Sequence, residues 1–229
     1  MPIKYEYNDI HCPSSLVLTP RLEAVHPACR DILYNRGYKT AEEMEAFLFP
    51  SLAESVRACP SFLDTEPALD ILEHAIRNKE TITVYQDYDV DGCTAGAVAA
   101  ECLMNLGATV NRYCNERSVD GFGICPNGIE NLMSLYPETK VLLTVDNGIS
   151  GIAGVARAKE RGLKVVITDH HEPGESLPAA DAVIDPKRRD EPEAQYKDNC
   201  GAGVIWRIML ELYMRMGVSV YPVMQAGDL

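Results

Sequence analysis

The spacing of apolar residues changes near residue 80 of the chain. Before this point apolar residues recur at helical spacing, and Thr40 with Glu43 forms a capping-box pattern at one helix start. After it, short apolar segments alternate with helical stretches. The predicted strands are TITVYQ (81–86), ATVNRYC (108–114), KVLLTVD (140–146), LKVVITD (163–169) and DAVID (181–185), and the predicted helices lie near 92–106, 126–135, 151–161 and 201–216. This alternation predicts an α/β fold built on a parallel, doubly wound sheet.

The same change predicts two parts of the chain. Residues 1–80 are expected to form an N-terminal arm and a small helical segment. Residues 81–229 are expected to form the α/β domain.

The charge distribution narrows the classes of function. The chain has 229 residues, of which 46% are hydrophobic and 24% charged, as in an ordinary globular protein. Its formal net charge is −13, and residues 1–150 hold 22 acidic against 11 basic residues. An acidic surface excludes a general nucleic-acid binder, because attraction to phosphate needs a basic one. Any polyanion must therefore be met by local Arg or Lys groups or by metal ions.

The sequence predicts neither a membrane helix nor a secretory signal. No apolar run approaches the roughly 18 residues that a membrane helix needs, and the first residues lack the apolar stretch of a secretory signal. The eight cysteines include no C-x-x-C pair, which favours reduced thiols. We therefore expect a cytoplasmic protein with no membrane partner.

Acidic and histidine residues gather where three predicted strands end. They are Asp87, Asp89 and Asp91 after the first strand, Asp146 after the third, and Asp169, His170 and His171 after the fourth. Ligands of open parallel sheets bind beyond the carboxyl ends of the strands, so these groups are expected to meet in one crevice. Clustered carboxylates repel one another unless they are protonated or neutralised by cations. The alternative is a set of helix caps and ion pairs.

Oxygen ligands combined with imidazole suit Mn²⁺ well, and Mg²⁺ less well. Two ions bridged by one carboxylate can activate water and stabilise the leaving oxygen of a phosphoester. Asp146, on a central strand, is the natural bridging candidate, and Asp89 and Asp91 are each placed to serve one ion.

The segments VYQDYDVDG, LLTVDNGIS and VITDHHEPGESLP resemble the first three motifs of the DHH phosphoesterase superfamily. Within it, the match is closest to the RecJ family of single-strand-specific 5′→3′ DNA exonucleases. RGYKTAEEMEAFLFPSL, ERSVDGFGI and NCGAGVIWRI resemble further segments of that family. The resemblance covers about residues 30–216, and it implies a DHH-type catalytic domain.

The resemblance also implies roles for individual residues. The ligands of two divalent cations would be Asp89, Asp91, Asp146 and His170. His171 would face the scissile phosphate or help to hold the metal site, so that Asp146, His170 and His171 form the catalytic set. Asp87 and Asp169 would orient the ligands.

Three segments are candidates for contact with substrate phosphate. The resemblance implies one at Arg117, whose alternative is an exposed ion pair with Glu116 or Asp120. It implies another at Gly201 and Gly203, whose alternative is close packing of helix on sheet. The residues themselves indicate a third, the basic run of Lys187, Arg188 and Arg189, which could guide a DNA backbone or simply form a solvated loop.

The sequence departs from the family pattern at two places. Gln86 stands where glycine is usual, which crowds the turn before the aspartates. RecJ-like proteins continue beyond the position of Leu229 with a further metal-binding Asp and a second domain that grips nucleic acid. We therefore expect a chain truncated at its C-terminus and one ligand short, and Asp228 is not assigned the missing role.

The expected function is metal-dependent phosphodiester hydrolysis by a single-stranded-DNA-specific 5′→3′ exonuclease in DNA repair and recombination. One alternative is another DHH phosphoesterase acting on short oligonucleotides or cyclic dinucleotides. A second is a catalytically silent module that binds nucleic acid or protein.

Overall fold

The computed structural model describes residues 11–50, 60–116, 120–121, 123–192 and 197–226. Contacts divide the chain into two compact units, Met1–Pro60 and Ser61–Leu229. The expected domain boundary at residue 80 stays a prediction.

Within residues 11–50 and 60, the part of the first unit that the structure describes, there are three short helices, α1 (Pro20–Glu23), α2 (Pro27–Asn35) and α3 (Ala41–Leu48). Thr40 caps α3 as the sequence predicts. Its side chain accepts the N–H of Glu43, whose carboxylate in turn accepts the N–H of Thr40. Four buried side chains form the core of this unit: Leu22, Leu33, Ala41 and Met44.

The second unit is a five-stranded sheet covered by helices. Its strands are β1 (Thr81–Gln86), β2 (Thr109–Cys114), β3 (Thr139–Val145), β4 (Lys164–Thr168) and β5 (Ala182–Ile184). Its helices are α4 (Thr65–Asn78), α5 (Val90–Asn105), α6 (Pro126–Leu135), α7 (Ile152–Glu160), α8 (Gly201–Arg215) and α9 (Tyr221–Ala226). The strand order is β2-β1-β3-β4-β5, and every neighbouring pair is parallel. The predicted α/β fold is confirmed.

Burial explains why these segments form central strands. All six residues of β1 and all but one of β3 are buried, as expected where helices cover both faces of a parallel sheet. The chain leaves β1 toward β2 on one side, whereas β3 lies on the other side of β1. The carboxyl ends of β1 and β3 therefore flank the crevice where open α/β sheets bind ligands.

Among the residues that the structure describes, no helix is both long and apolar enough to cross a bilayer.

Candidate metal centre

The register of the sheet brings the acidic strand ends to one level. Gln86 of β1 pairs with Val145 of β3, which pairs with Thr168 of β4, which pairs with Ile184 of β5. The next residue on each strand is an aspartate. These aspartates are Asp87, Asp146, Asp169 and Asp185. Four carboxylates thus follow four adjacent strand ends.

Asp146 is the most constrained of these residues. Its backbone has a φ of 58°, and its side chain is 1% exposed. Its Oδ1 lies 3.0 Å from Nε2 of His170 but has no hydrogen-bond partner among the described residues. Burial, and then the charges of Asp91 and Asp89, raise the pKa of Asp146 to about 8. A buried carboxylate among other carboxylates, with one oxygen that accepts no hydrogen bond from the described residues, is suited to hold a cation.

Two groups of possible metal ligands share Asp146. One contains Asp87 and Asp89, and the other contains His170 and His171. In each group, one ligand atom per residue lies within 4.8 Å of the others. Carboxylates alone in one group and a carboxylate with two imidazoles in the other fit hard or borderline divalent cations. The residues present therefore fit divalent cations.

Asp169 orients both histidines. Its Oδ1 accepts the backbone N–H of His170 at 2.8 Å and lies 2.7 Å from the ring nitrogen Nδ1 of His171. Its Oδ2 accepts the backbone N–H of Ile149 at 2.9 Å. The hydrogen bond to Asp169 raises the pKa of His171 to about 9, against the effect of burial. The His171 ring is held at Nδ1, which leaves Nε2 for another partner.

Asp89 and Asp91 also act as helix caps. Asp89 accepts the N–H of Gly92 at 2.9 Å and caps α5. The carboxylate of Asp91 accepts the N–H groups of Gly201 at 2.7 Å and Ala202 at 2.8 Å, and it lies 3.4 Å from Nε2 of His170. Asp91 therefore joins the start of α8 to the acidic cluster.

At the start of α8, the N–H groups of Gly201 and Gly203, where a phosphate contact was expected, have partners within the protein. The N–H of Gly201 already donates to Asp91, and the N–H of Gly203 donates to Sγ of Cys200 at 3.4 Å. A Cβ at Gly201 would stand 2.4 Å from Oδ1 of Asp146. Close packing is the reason for the glycine at this position.

The three residues of the basic run, Lys187, Arg188 and Arg189, differ in burial, and only Arg188 is buried. Arg188 is only 8% exposed, and its guanidinium donates to Asp64 and Asp190 at 2.8 and 2.7 Å and to the carbonyl of Val183. This burial argues against the expected phosphate contact by Arg188. Lys187 lies 3.6 Å from the exposed Glu172, and Arg189 is exposed. Arg117, the other predicted phosphate contact, lies outside the described residues.

Gln86 is accommodated beside the cluster. Its Oε1 accepts hydrogen bonds from the guanidinium of Arg112 at 2.6 and 3.0 Å. A Cβ at Gly96 of α5 would stand 2.1 Å from the same oxygen, so a glycine there makes room for the larger side chain.

Sequence reasoning missed Asp185. Its side chain is fully buried, its Oδ1 accepts the N–H of Lys187 at 2.7 Å, and its Oδ2 has no partner among the described residues. Burial raises the pKa of Asp185 to about 7. The signal was present, because the predicted strand DAVID also ends in aspartate.

The fold and the aspartates at its strand ends define the class. The chain belongs to the DHH family, whose N-terminal-domain profile matches residues 81–225. This confirms the resemblance that the motifs indicate.

Individual relatives are exonucleases. The chain is 34% identical over 187 residues to the single-stranded-DNA-specific exonuclease RecJ of Escherichia coli K12, covering 81% of this chain and 31% of that protein. RecJ of Thermus thermophilus in complex with Mn²⁺ superposes with a TM-score of 0.68 and 28% identity, over 89% of this chain and 29% of that one. A crystal structure of exonuclease RecJ bound to manganese gives a TM-score of 0.62 and 32% identity, over 70% and 40%. The chain thus spans less than a third of the length of its Escherichia coli relative.

Proposed function

We propose that the chain is the metal-dependent catalytic core of an exonuclease that hydrolyses phosphodiester bonds in single-stranded DNA. The observation that carries this proposal is the buried, unpartnered Oδ1 of Asp146, shared by two groups of possible ligands. The Escherichia coli relative, a single-stranded-DNA-specific exonuclease by name, supports the choice of substrate.

The residues that would hold two divalent cations are Asp89, Asp91, Asp146 and His170, of which Asp146 belongs to both groups of possible ligands. Asp87 stands in one of the two groups, so it is placed for direct contact as well as for the orienting role expected from the sequence. Bound there, the ions would supply charge stabilisation to a phosphodiester and lower the pKa of water. Manganese is favoured because imidazole is among the ligands, and magnesium is also suitable.

The protein's own groups prepare the reaction. Asp169 holds Nδ1 of His171, which leaves Nε2 of the same ring for another partner. We propose that this ring faces the scissile phosphate, with Nε2 toward one of the phosphate oxygens. Lys187 and Arg189 would attract the DNA backbone, because they are the accessible members of the basic run.

The remaining parts of the proposal concern the whole protein. RecJ-like activity would proceed 5′→3′ in DNA repair and recombination, in the cytoplasm. A second domain would grip the strand, in keeping with the fraction of the Escherichia coli relative that the chain spans.

The test is the release of nucleotides from a 5′-labelled single strand in the presence of Mn²⁺. It compares this chain, a chain extended beyond Leu229, and each with the substitution Asp146→Asn. We expect hydrolysis by at least the extended chain, none by the Asp146→Asn variants, and little on duplex DNA. Hydrolysis of cyclic dinucleotides alone would favour the other DHH phosphoesterases, and no hydrolysis by either chain would favour a binding module.

A further inference from the structure

Two exposed cysteines contact the turn that follows β1. Cys93 lies in the first turn of α5, and Cys114 is the last residue of β2. The Sγ of Cys93 donates to the carbonyl of Tyr88 at 3.5 Å, and the Sγ of Cys114 donates to the carbonyl of Asp87 at 3.7 Å. The two thiols are therefore hydrogen-bonded to consecutive carbonyls of one turn.

The side chains of both cysteines lie on the face of the sheet that α5 covers. Cys114 is the partner of Gln86 in the pairing of β2 with β1, and paired residues of neighbouring strands project to the same face. The Nε2 of Gln86 donates to Sγ of Cys93 at 3.6 Å. Burial, and then the charge of Cys93, raise the pKa of the Cys114 thiol, so the two sulfurs lie within electrostatic reach of each other.

The turn that the thiols contact also carries possible metal ligands. It runs from Asp87 to Asp89, and both residues belong to the group of possible ligands that contains Asp146. A Cβ at Gly92, the residue before Cys93, would stand 2.6 Å from the carbonyl oxygen of Asp87. Because the helix start and the turn are in direct contact, a shift of Cys93 would move the backbone that carries Asp87.

We propose that Cys93 and Cys114 form an oxidation site, at which hydrogen peroxide converts the two thiols to a disulfide and thereby weakens cation binding at the acidic cluster. The cation part rests on the proposed function. One sulfur, as a thiolate, attacks a peroxide oxygen and becomes a sulfenic acid, and the released hydroxide takes up a proton to form water. The second sulfur then displaces the hydroxyl of the sulfenic acid, which leaves as a second water. The two thiols together lose two electrons, and these reduce the peroxide.

The disulfide would remove both thiol donors from the turn. A disulfide sulfur has no S–H, so the carbonyls of Asp87 and Tyr88 would lose the donors that now contact them. The bond would also bring the two sulfurs closer together than any non-bonded contact, and the adjoining turn would have to adjust. Loss of the groups that orient metal ligands typically lowers metal affinity by about 10–100-fold, so we expect at least about tenfold weaker cation binding after oxidation.

Peptide mapping by mass spectrometry tests the bond itself. Trypsin releases Cys114 in residues 113–117 and Cys93 in residues 80–112, which also contain the buried Cys102. After treatment of the wild-type chain with hydrogen peroxide, we expect these two peptides to be joined, and dithiothreitol should separate them. The link should be absent from Cys93→Ser and from Cys114→Ser. No link in the wild type, or a link that persists in Cys93→Ser, would overturn the proposal.

Calorimetric titration with Mn²⁺ tests the consequence of oxidation. The oxidised wild-type chain should bind Mn²⁺ about tenfold more weakly than the reduced chain, and treatment with dithiothreitol, followed by its removal, should restore the affinity. Cys114→Ser should keep the affinity of the reduced chain after the same peroxide treatment, because it cannot form the disulfide and its hydroxyl can still donate to the carbonyl of Asp87. Cys29→Ser is the matched control, because it removes an exposed thiol of the first unit and should respond as the wild type does.

These measurements distinguish the oxidation site from the function on which its effect rests. Joined peptides with an unchanged Mn²⁺ affinity, or an equal loss of affinity in Cys114→Ser, would overturn control of the metal centre by the thiols and leave the exonuclease proposal intact. Failure of the reduced wild-type chain to bind Mn²⁺ would reject the proposed function and the cation part of this inference, whereas joined peptides would still support the oxidation site.

Discussion

Gly201 and Asp146 lie so close together that any larger residue at position 201 would displace the carboxylate. A Cβ there would stand 2.4 Å from Oδ1 and 2.6 Å from Cβ of Asp146. Because Asp146 is the residue that both groups of possible ligands share, its position depends on the absence of a single methyl group on α8.

Gly201→Ala should therefore lower hydrolysis of single-stranded DNA by about 100-fold, the effect of displacing a reacting group by about 1 Å. Gly203→Ala is the matched control, because a Cβ at that position of the same helix meets its nearest neighbour at 3.7 Å, an ordinary contact. Steady-state rates with Mn²⁺ and the thermal midpoints of both variants provide the comparison. Full activity of Gly201→Ala would mean that Asp146 can move without consequence.

Divalent cations should stabilise the fold through the acidic cluster. At 100 times its dissociation constant a bound ion contributes about 2.7 kcal/mol, which for a chain of this size raises the melting temperature by about 5–10 °C. Asp146→Asn should lose most of this rise in melting temperature. Without metal, this variant should melt no lower than the wild type, because the substitution relieves repulsion among the clustered carboxylates. Glu101→Gln removes an exposed carboxylate from α5 and should keep the full rise. Calorimetry with Mn²⁺ and with EDTA measures both effects; an equal metal response in Asp146→Asn would contradict the assignment.

Lys187 and Arg189 should attract the DNA backbone without supporting the fold. Replacing both with Ala should weaken binding of a single strand and reduce the slope of log affinity against log salt by about 0.7 for each phosphate that is no longer neutralised. Filter binding or anisotropy at several salt concentrations measures the slope. An unchanged slope would mean that these side chains form only a solvated loop.

Arg188→Ala should instead destabilise the protein, by about 2–3 kcal/mol, because it removes the guanidinium that donates to Asp64, Asp190 and the carbonyl of Val183. Denaturant unfolding gives the free energy. If Arg188→Ala changed the affinity for DNA and left the stability unaltered, Arg188 would be a DNA contact and not a residue that supports the fold.

The stability of the sheet unit should fall in acid partly through Asp181. Its carboxylate accepts hydrogen bonds from Lys159, from Lys164 at 3.1 Å and from the backbone N–H of Val165 at 2.8 Å. Burial by itself would raise the pKa of Asp181, but these hydrogen bonds outweigh burial, so the pKa is lowered. Because the pKa of Asp181 is lower in the folded state than in the unfolded state, its ionised carboxylate stabilises the fold. This stabilisation is complete at pH values above the unfolded-state pKa near 3.8, and it is lost as the pH falls through the folded-state pKa. Asp181→Asn should thus cost about 1–2 kcal/mol at pH 7 and progressively less as the pH falls below the unfolded value near 3.8. Urea unfolding of both proteins at several pH values tests this, and a cost independent of pH would point to packing alone.

The sequence predicted the parts of the fold that depend on local pattern. Short apolar segments predicted the five strands, because buried parallel strands need apolar side chains on both faces. The meeting of Asp87, Asp146 and Asp169 followed from the same prediction, since parallel strands end at the same edge.

Contacts between segments far apart in the sequence could not be predicted from local sequence patterns. Three adjacent basic residues suggest a solvated loop, and only the fold brings Asp64 from the start of α4 to bury Arg188. Gly201 looked suited to receive a phosphate, but its N–H is occupied by Asp91, a partner 110 residues away. Asp185 was overlooked although the predicted strand DAVID ends with it, because the sequence does not reveal the register between β5 and β4 that brings it level with the other aspartates.

The hydrogen bonds from the start of α8 to Asp91 also bear on the order of assembly during folding. They join segments that are 110 and 111 residues apart, so they form only after the intervening strands have paired. Until then Asp91 lacks its two donors, and the space beside Asp146 is not yet closed by Gly201. A nascent chain released before α8 would thus bring the strand-end aspartates level with one another through the sheet, but it would lack the donors that hold Asp91, and the cation-binding centre would be completed only when α8 docks.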